Sequence, residues 1–110
     1  MYTVLFNVIL LFFVLFPLKA VADAEYIDLR IVDHKFLPDT INVPADKVIK
    51  KRVEKYDPTV EELESFDLKR EKIVPAKGKV IIIVGPLSPG EYSFFGEFHQ
   101  ETAQGKLIVK

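Results

Sequence analysis

Apolar and polar residues alternate along most of this 110-residue chain, and a period of two is the mark of a half-buried strand. Tyr26-Ile27-Asp28-Leu29-Arg30-Ile31 shows it first, and Thr40-Ile41-Asn42-Val43 repeats it after the turn signal Leu37-Pro38-Asp39. Pro44-Ala45-Asp46 turns the chain again. From Lys47 to Lys55, Ile49 and Val53 stand among Lys50, Lys51, Arg52 and Glu54, a charge density that predicts a solvent-facing or edge strand. Val80-Ile81-Ile82-Ile83-Val84, bounded by Gly78 and Gly85, predicts a strand buried in a core. The corner Pro86-Leu87-Ser88-Pro89-Gly90 leads into a strand over Glu91 to Phe95, and Lys106 to Val109 forms the last one after Gly105.

The middle of the chain carries two patterns. Thr59 followed by Glu62 fits a capping box, and Glu61, Glu64 and Glu71 can share a helical face. Against this, Glu64, Phe66 and Leu68 alternate with Ser65, Asp67 and Lys69, and Ile73-Val74-Pro75 reads as a strand ending at its proline. At most one helical turn near Glu61, followed by extended chain, is the expectation. About seven strands in so short a chain is the density of an all-β sandwich.

The N-terminus breaks the alternation. Val4 to Leu18 is apolar apart from Asn7 and the interruption at Pro17, and Ala20-Val21-Ala22 and Ala22-Asp23-Ala24 offer small-x-small cleavage patterns. Residues 1–24 therefore read as a signal peptide cleaved after Ala22 or Ala24, with a periplasmic domain over 25–110. A basic segment before the apolar run is missing, which leaves an uncleaved anchor as the minority reading, although the run is shorter than the roughly 20 residues that span a bilayer. Cleavage after Ala24 removes Lys19 and Asp23 together, so the net charge stays at −1.

Composition then narrows the chemistry. Fifteen basic and sixteen acidic side chains are spread without a long run of either sign, which argues against nucleic acid as a partner. There is no cysteine, so a bound metal must accept nitrogen and oxygen ligands. The candidate segment is Phe95-Gly96-Glu97-Phe98-His99-Gln100-Glu101, where Glu97, His99 and Glu101 recur at every second position. In an extended segment all three point to one side. Enzyme signatures are thin: Ser88 and Ser93 have no histidine at a motif-defined distance, and a small sandwich gives paired carboxylates such as Glu64 and Glu71 little room for a substrate cleft.

A series of short motifs resembles a known family. Asp33-His34-Lys35-Phe36-x-Pro38, Val43-Pro44-Ala45, Glu64-Ser65-x-Asp67-Leu68, Arg70-Glu71-Lys72, Gly85-Pro86-Leu87-x-Pro89-Gly90-x-Tyr92 and Phe95-Gly96-Glu97-Phe98-His99 occur in this order. Together they are similar to cupredoxin-like periplasmic proteins often encoded beside high-affinity iron permeases. The resemblance implies a Greek-key β-sandwich, a role in metal handling for iron uptake, and a membrane iron permease or another periplasmic iron-uptake protein as partner. It departs from blue-copper proteins, whose centre needs a cysteine thiolate, two histidines and usually a methionine. Here Met1 is the only methionine and His34 and His99 the only histidines, so type 1 copper is excluded. The ligand set the resemblance implies is Glu64, Glu97, His99 and Glu101, with Asp67 and Glu71 as supplements. Such a set suits iron, with cupric copper as the other candidate; a ferroxidase-type redox role is the remaining enzymatic reading.

Each of these residues also has an ordinary explanation. Glu97 and Glu101 can be solvated acids, His99 a hydrogen-bonding histidine, and His34 a structural residue at a strand end. Tyr92, Phe94, Phe95 and Phe98 read first as core. The alternative to metal handling is an interaction module whose acidic loop contacts a protein partner.

Overall fold

A computed structural model describes residues 24–110; the signal-segment reading of 1–24 lies almost wholly outside it. Nine strands form two sheets. β1 (Ala24–Val32), β2 (Lys35–Leu37), β4 (Val48–Lys55) and β7 (Lys79–Val84) make one, in the order β2-β1-β4-β7. β3 (Thr40–Val43), β5 (Glu61–Ser65), β6 (Arg70–Val74), β8 (Gly90–Gly96) and β9 (Gln104–Val109) make the other, in the order β3-β9-β8-β5-β6. β1 runs parallel to β4 and β3 parallel to β9, while the remaining pairs are antiparallel. The expected all-β sandwich is the observed one.

Alternation places the core. Leu29 and Ile31 of β1, Ile49 and Val53 of β4, and Ile82 and Val84 of β7 face Leu63, Phe94, Leu107 and Val109 from the other sheet, all buried. Phe36 and Phe94 meet edge to face with ring centroids 5.0 Å apart. Where the chain approaches most closely, Gly105 is required: a Cβ there would stand 2.6 Å from the Phe94 ring and 3.0 Å from the Asp39 carbonyl oxygen.

Five local expectations are corrected. Glu61 opens β5 rather than a helical turn, because its alternate positions Glu61, Leu63 and Ser65 all turn into the sandwich. β4 lies between β1 and β7 and is not an edge; Lys51 and Lys55 are buried alongside Ile49 and Val53. β7 is the edge instead, and Ile81 and Ile83 are half exposed while Ile82 and Val84 point inward. Residues 97–99 form a 3-10 turn rather than an extended segment, so Glu97, His99 and Glu101 do not share a side. Among the aromatics, Phe94 is core, but Phe98 is exposed.

Candidate functional site

β5 carries carboxylates on both of its faces, and the two faces build different sites. Inward, Glu61 is fully buried. Its Oε1 accepts hydrogen bonds from the backbone N–H of Glu62 at 3.0 Å and of Phe98 at 2.9 Å. Its Oε2 lies 2.7 Å from Nδ1 of His99, a partly exposed ring that the 3-10 turn swings towards the interior. Three partners satisfy a carboxylate that burial would otherwise make costly.

Gly96 gives this pair its room. A Cβ at Gly96 would stand 2.7 Å from Glu61 Oε2 and 2.8 Å from the Ala103 Cβ. The backbone closes the same corner, since Gly96 N–H donates to the Ala103 carbonyl at 2.8 Å and Ala103 N–H to the His99 carbonyl at 2.8 Å.

His34 covers the outer side. Its ring lies on that of His99 with centroids 3.6 Å apart and planes 11° from parallel. The turn presenting it holds both Asp33 (φ 53°) and His34 (φ 57°) in the left-handed region, which non-glycine residues enter at a cost. Asp57 fixes that turn by accepting the N–H groups of Asp33 at 2.7 Å and His34 at 3.0 Å, and it also accepts from the buried Lys55 Nζ at 3.1 Å. Burial acts to raise the Asp57 carboxyl, but the two backbone donors and the Lys55 ammonium outweigh it and hold the group down at about 2. Thr102 Oγ1 donates to the His34 carbonyl at 2.7 Å and ties the turn to the segment after His99.

Outward, Glu62 and Glu64 meet other acids. Glu64 pairs across the ladder with Glu71, and Glu62, Glu64, Glu71 and Glu97 act on one another as neighbouring like charges. Desolvation first, then Glu71 and Glu97, raise Glu62; desolvation first, then Glu97 and Glu71, raise Glu64.

The sequence-derived candidates thus separate. Glu64, Glu71 and Glu97 come together on the outer face. His99 turns to Glu61, Asp67 accepts the Ser93 N–H at 2.8 Å, and Glu101 is exposed in the turn after the 3-10 segment. Two residues escaped the sequence reading: Glu62, and above all Glu61, which was noticed only as part of a helical face. The alternation Glu61, Leu63, Ser65, read as a strand, is the signal that would have placed Glu61 inside.

Blue copper requires two imidazoles and a thiolate around one ion, and this interior does not supply them. The two imidazoles stack in nearly parallel planes, so an ion at about 2.0 Å from a nitrogen of each would lie between the planes, outside both in-plane lone pairs. Among the described residues no three His, Asp or Glu side chains are set to hold a metal ion in the observed arrangement.

The comparisons with known proteins agree with this architecture. The cupredoxin-like domain family matches residues 5–109. An uncharacterised protein of Rickettsia prowazekii (strain Madrid E) is 48% identical over 83 residues, covering 76% of this chain and 66% of the relative, so the chain spans just under two thirds of that relative's length. Among solved structures, the metal-binding domain of the Cu(I)-exporting P-type ATPase of Streptococcus pneumoniae has a TM-score of 0.71 at 12% identity, covering 84% of this chain and 91% of the other. Auracyanin A, a blue copper protein of Chloroflexus aurantiacus, has a TM-score of 0.69 at 12% identity, covering 80% and 100%. At these identities the likeness is one of fold.

Proposed function

The chain belongs to the cupredoxin-like domain family, and from that premise we propose that it is a periplasmic accessory protein of iron uptake that carries iron on its acidic outer face and passes it to a membrane permease. The observation that carries this reading is the gathering of the half-buried Glu62, Glu64 and Glu97 and the exposed Glu71 on the outer surface of β5, β6 and the 3-10 turn, where desolvation and the repulsion of neighbouring acids make Glu62 and Glu64 hold their protons more tightly. A cation relieves that repulsion by drawing the four carboxylates around it. All-oxygen donors suit ferric or ferrous iron and disfavour cuprous copper, which seeks sulfur. Exposure allows the exchange a carrier needs.

The test is equilibrium dialysis of the mature protein against ferric citrate, anaerobic ferrous ion and cupric ion. One retained equivalent of iron is expected, with E64Q/E97Q weakening it at least about tenfold, on the order of 1.4 kcal/mol. Iron retention unchanged by that double substitution sinks the reading.

A second reading has its own support. Phe66 is 73% exposed beside the acidic face, with its ring 5.5 Å from that of Phe95, which suits a protein partner docking without metal. Metal-independent capture of the permease's periplasmic loops, abolished by Phe66→Ala, would favour it.

A further inference from the structure

We infer that the interior position around His99 Nδ1 is closed to a metal ion in this protein by a shared proton, so that any cation the protein carries is bound outside the sandwich. The inference stands apart from the acidic face and survives if that face binds nothing.

Four positions converge at this point. His99 Nδ1 lies 2.7 Å from Glu61 Oε2, and a Cβ added at Gly96 would reach Glu61 Oε2 at 2.7 Å and the Ala103 Cβ at 2.8 Å. Residues 99, 61, 96 and 103 are thus linked in a chain of close approaches, each under 3 Å. Only His99 among them has a side chain of the blue-copper set, which is two imidazoles, a thiolate and a thioether.

The proton follows from the donor and acceptor count. Glu61 Oε1 takes two backbone N–H groups, and Oε2 has the imidazole nitrogen as its polar neighbour. A 2.7 Å contact between a carboxyl oxygen and an imidazole nitrogen holds a proton whichever atom it rests on. A metal ion entering here would have to expel that proton and would then find neither a thiolate nor a thioether. The other side is shut by the stacked His34 ring, 3.6 Å away, whose turn is clamped by Asp57 and Thr102.

Gly96 and Glu61 consequently depend on each other. The glycine admits the long carboxylate, and the carboxylate occupies the space a cysteine side chain would need. E61H, G96C and A103M combined replace the proton-bridged pair with the missing imidazole, thiolate and thioether, provided the backbone shifts to part the Cβ atoms of 96 and 103, which would otherwise stand 2.8 Å apart.

The first measurement uses the unmodified mature protein, with nitrogen-15 NMR of its histidines during titration with Zn(II) and, under reducing conditions, Cu(I). The proton between His99 Nδ1 and Glu61 is expected to persist in excess of either metal. Loss of that proton at one equivalent, with the metal retained and its retention abolished in H99A, overturns the inference. The second measurement adds Cu(II) to the E61H/G96C/A103M variant, checked for an unchanged strand pattern by amide NMR. One retained equivalent with intense visible thiolate-to-copper absorption is expected, against none for the unmodified protein. A variant that folds but takes up no copper at this position also overturns it, and if the variant does not fold the titration of the unmodified protein decides.

Discussion

Of the three formally charged side chains buried among the described residues, Glu61, Lys51 and Lys55, the first two are held in opposite ways. Glu61 has three polar partners within 3.0 Å. Lys51 Nζ has no hydrogen-bond partner among the described residues and rests on the face of Phe94, 3.7 Å from the ring centroid. Burial of charge therefore does not by itself mark a built site. Around Glu61 a glycine, a 3-10 turn, a stacked imidazole and a clamped turn all serve the carboxylate. Around Lys51 only the aromatic ring does, and a cation–π contact offsets a fraction of the desolvation.

The comparison breaks most readily at Glu61. Replacing it by alanine orphans the N–H groups of Glu62 and Phe98 and the His99 imidazole, so urea denaturation is expected to show a loss of about 3–5 kcal/mol. A loss below about 1 kcal/mol would mean the partners are as dispensable as Lys51 should be.

For Lys51 the expected sign is reversed. Burial pushes its amine from 10.5 down to about 7. Above 10.5 the amine is neutral whether the chain is folded or unfolded and costs nothing. As pH falls from 10.5 to about 7 the unfolded chain takes up the proton and the folded one does not, so stability declines over that window and levels off below it. Lys51→Met removes the penalty and is expected to stabilise the protein at neutral pH by about 2 kcal/mol, with the advantage shrinking towards pH 10.5. Equal stability of variant and parent throughout pH 7–10.5 would show that the Phe94 face compensates the amine fully.

The same contrast explains what could be read from the chain. β1, β3 and β9 are legible because alternation and turn residues agree on them. β4 and β7 exchanged roles: a strand with three consecutive basic residues, Lys50, Lys51 and Arg52, became interior, and the most apolar strand became an edge. Strand order is set by contacts distant in sequence, which a periodicity cannot encode. The acidic face was half legible, since Glu64, Glu71 and Glu97 were candidates while Glu62 was not. The Glu61–His99 pair was hidden because its members are separated by 38 positions and because the Gly96 to His99 segment tightens into a turn where alternation predicts extension.

The smallest effect lies on the other side of β5, and it sharpens the comparison most. Glu62 and Glu64 stand beside Glu61 in the same strand, yet meet acids instead of donors, and both titrate above their ordinary 4.5. An acid raised in the folded state holds its proton longer there than in the unfolded chain, so stability falls as pH rises from 4.5 through the folded value and stays reduced above it. Glu64→Gln should therefore raise the thermal midpoint slightly at neutral pH and flatten that slope, the opposite of what Glu61→Ala does three residues away on the other face of the strand. If iron binds this face, it should raise the midpoint of the parent protein and lose that effect in E64Q/E97Q. A parent whose midpoint ignores iron while Glu64→Gln still raises it would leave the four acids as unrelieved repulsion, and the outer face would then belong with Lys51 rather than with Glu61.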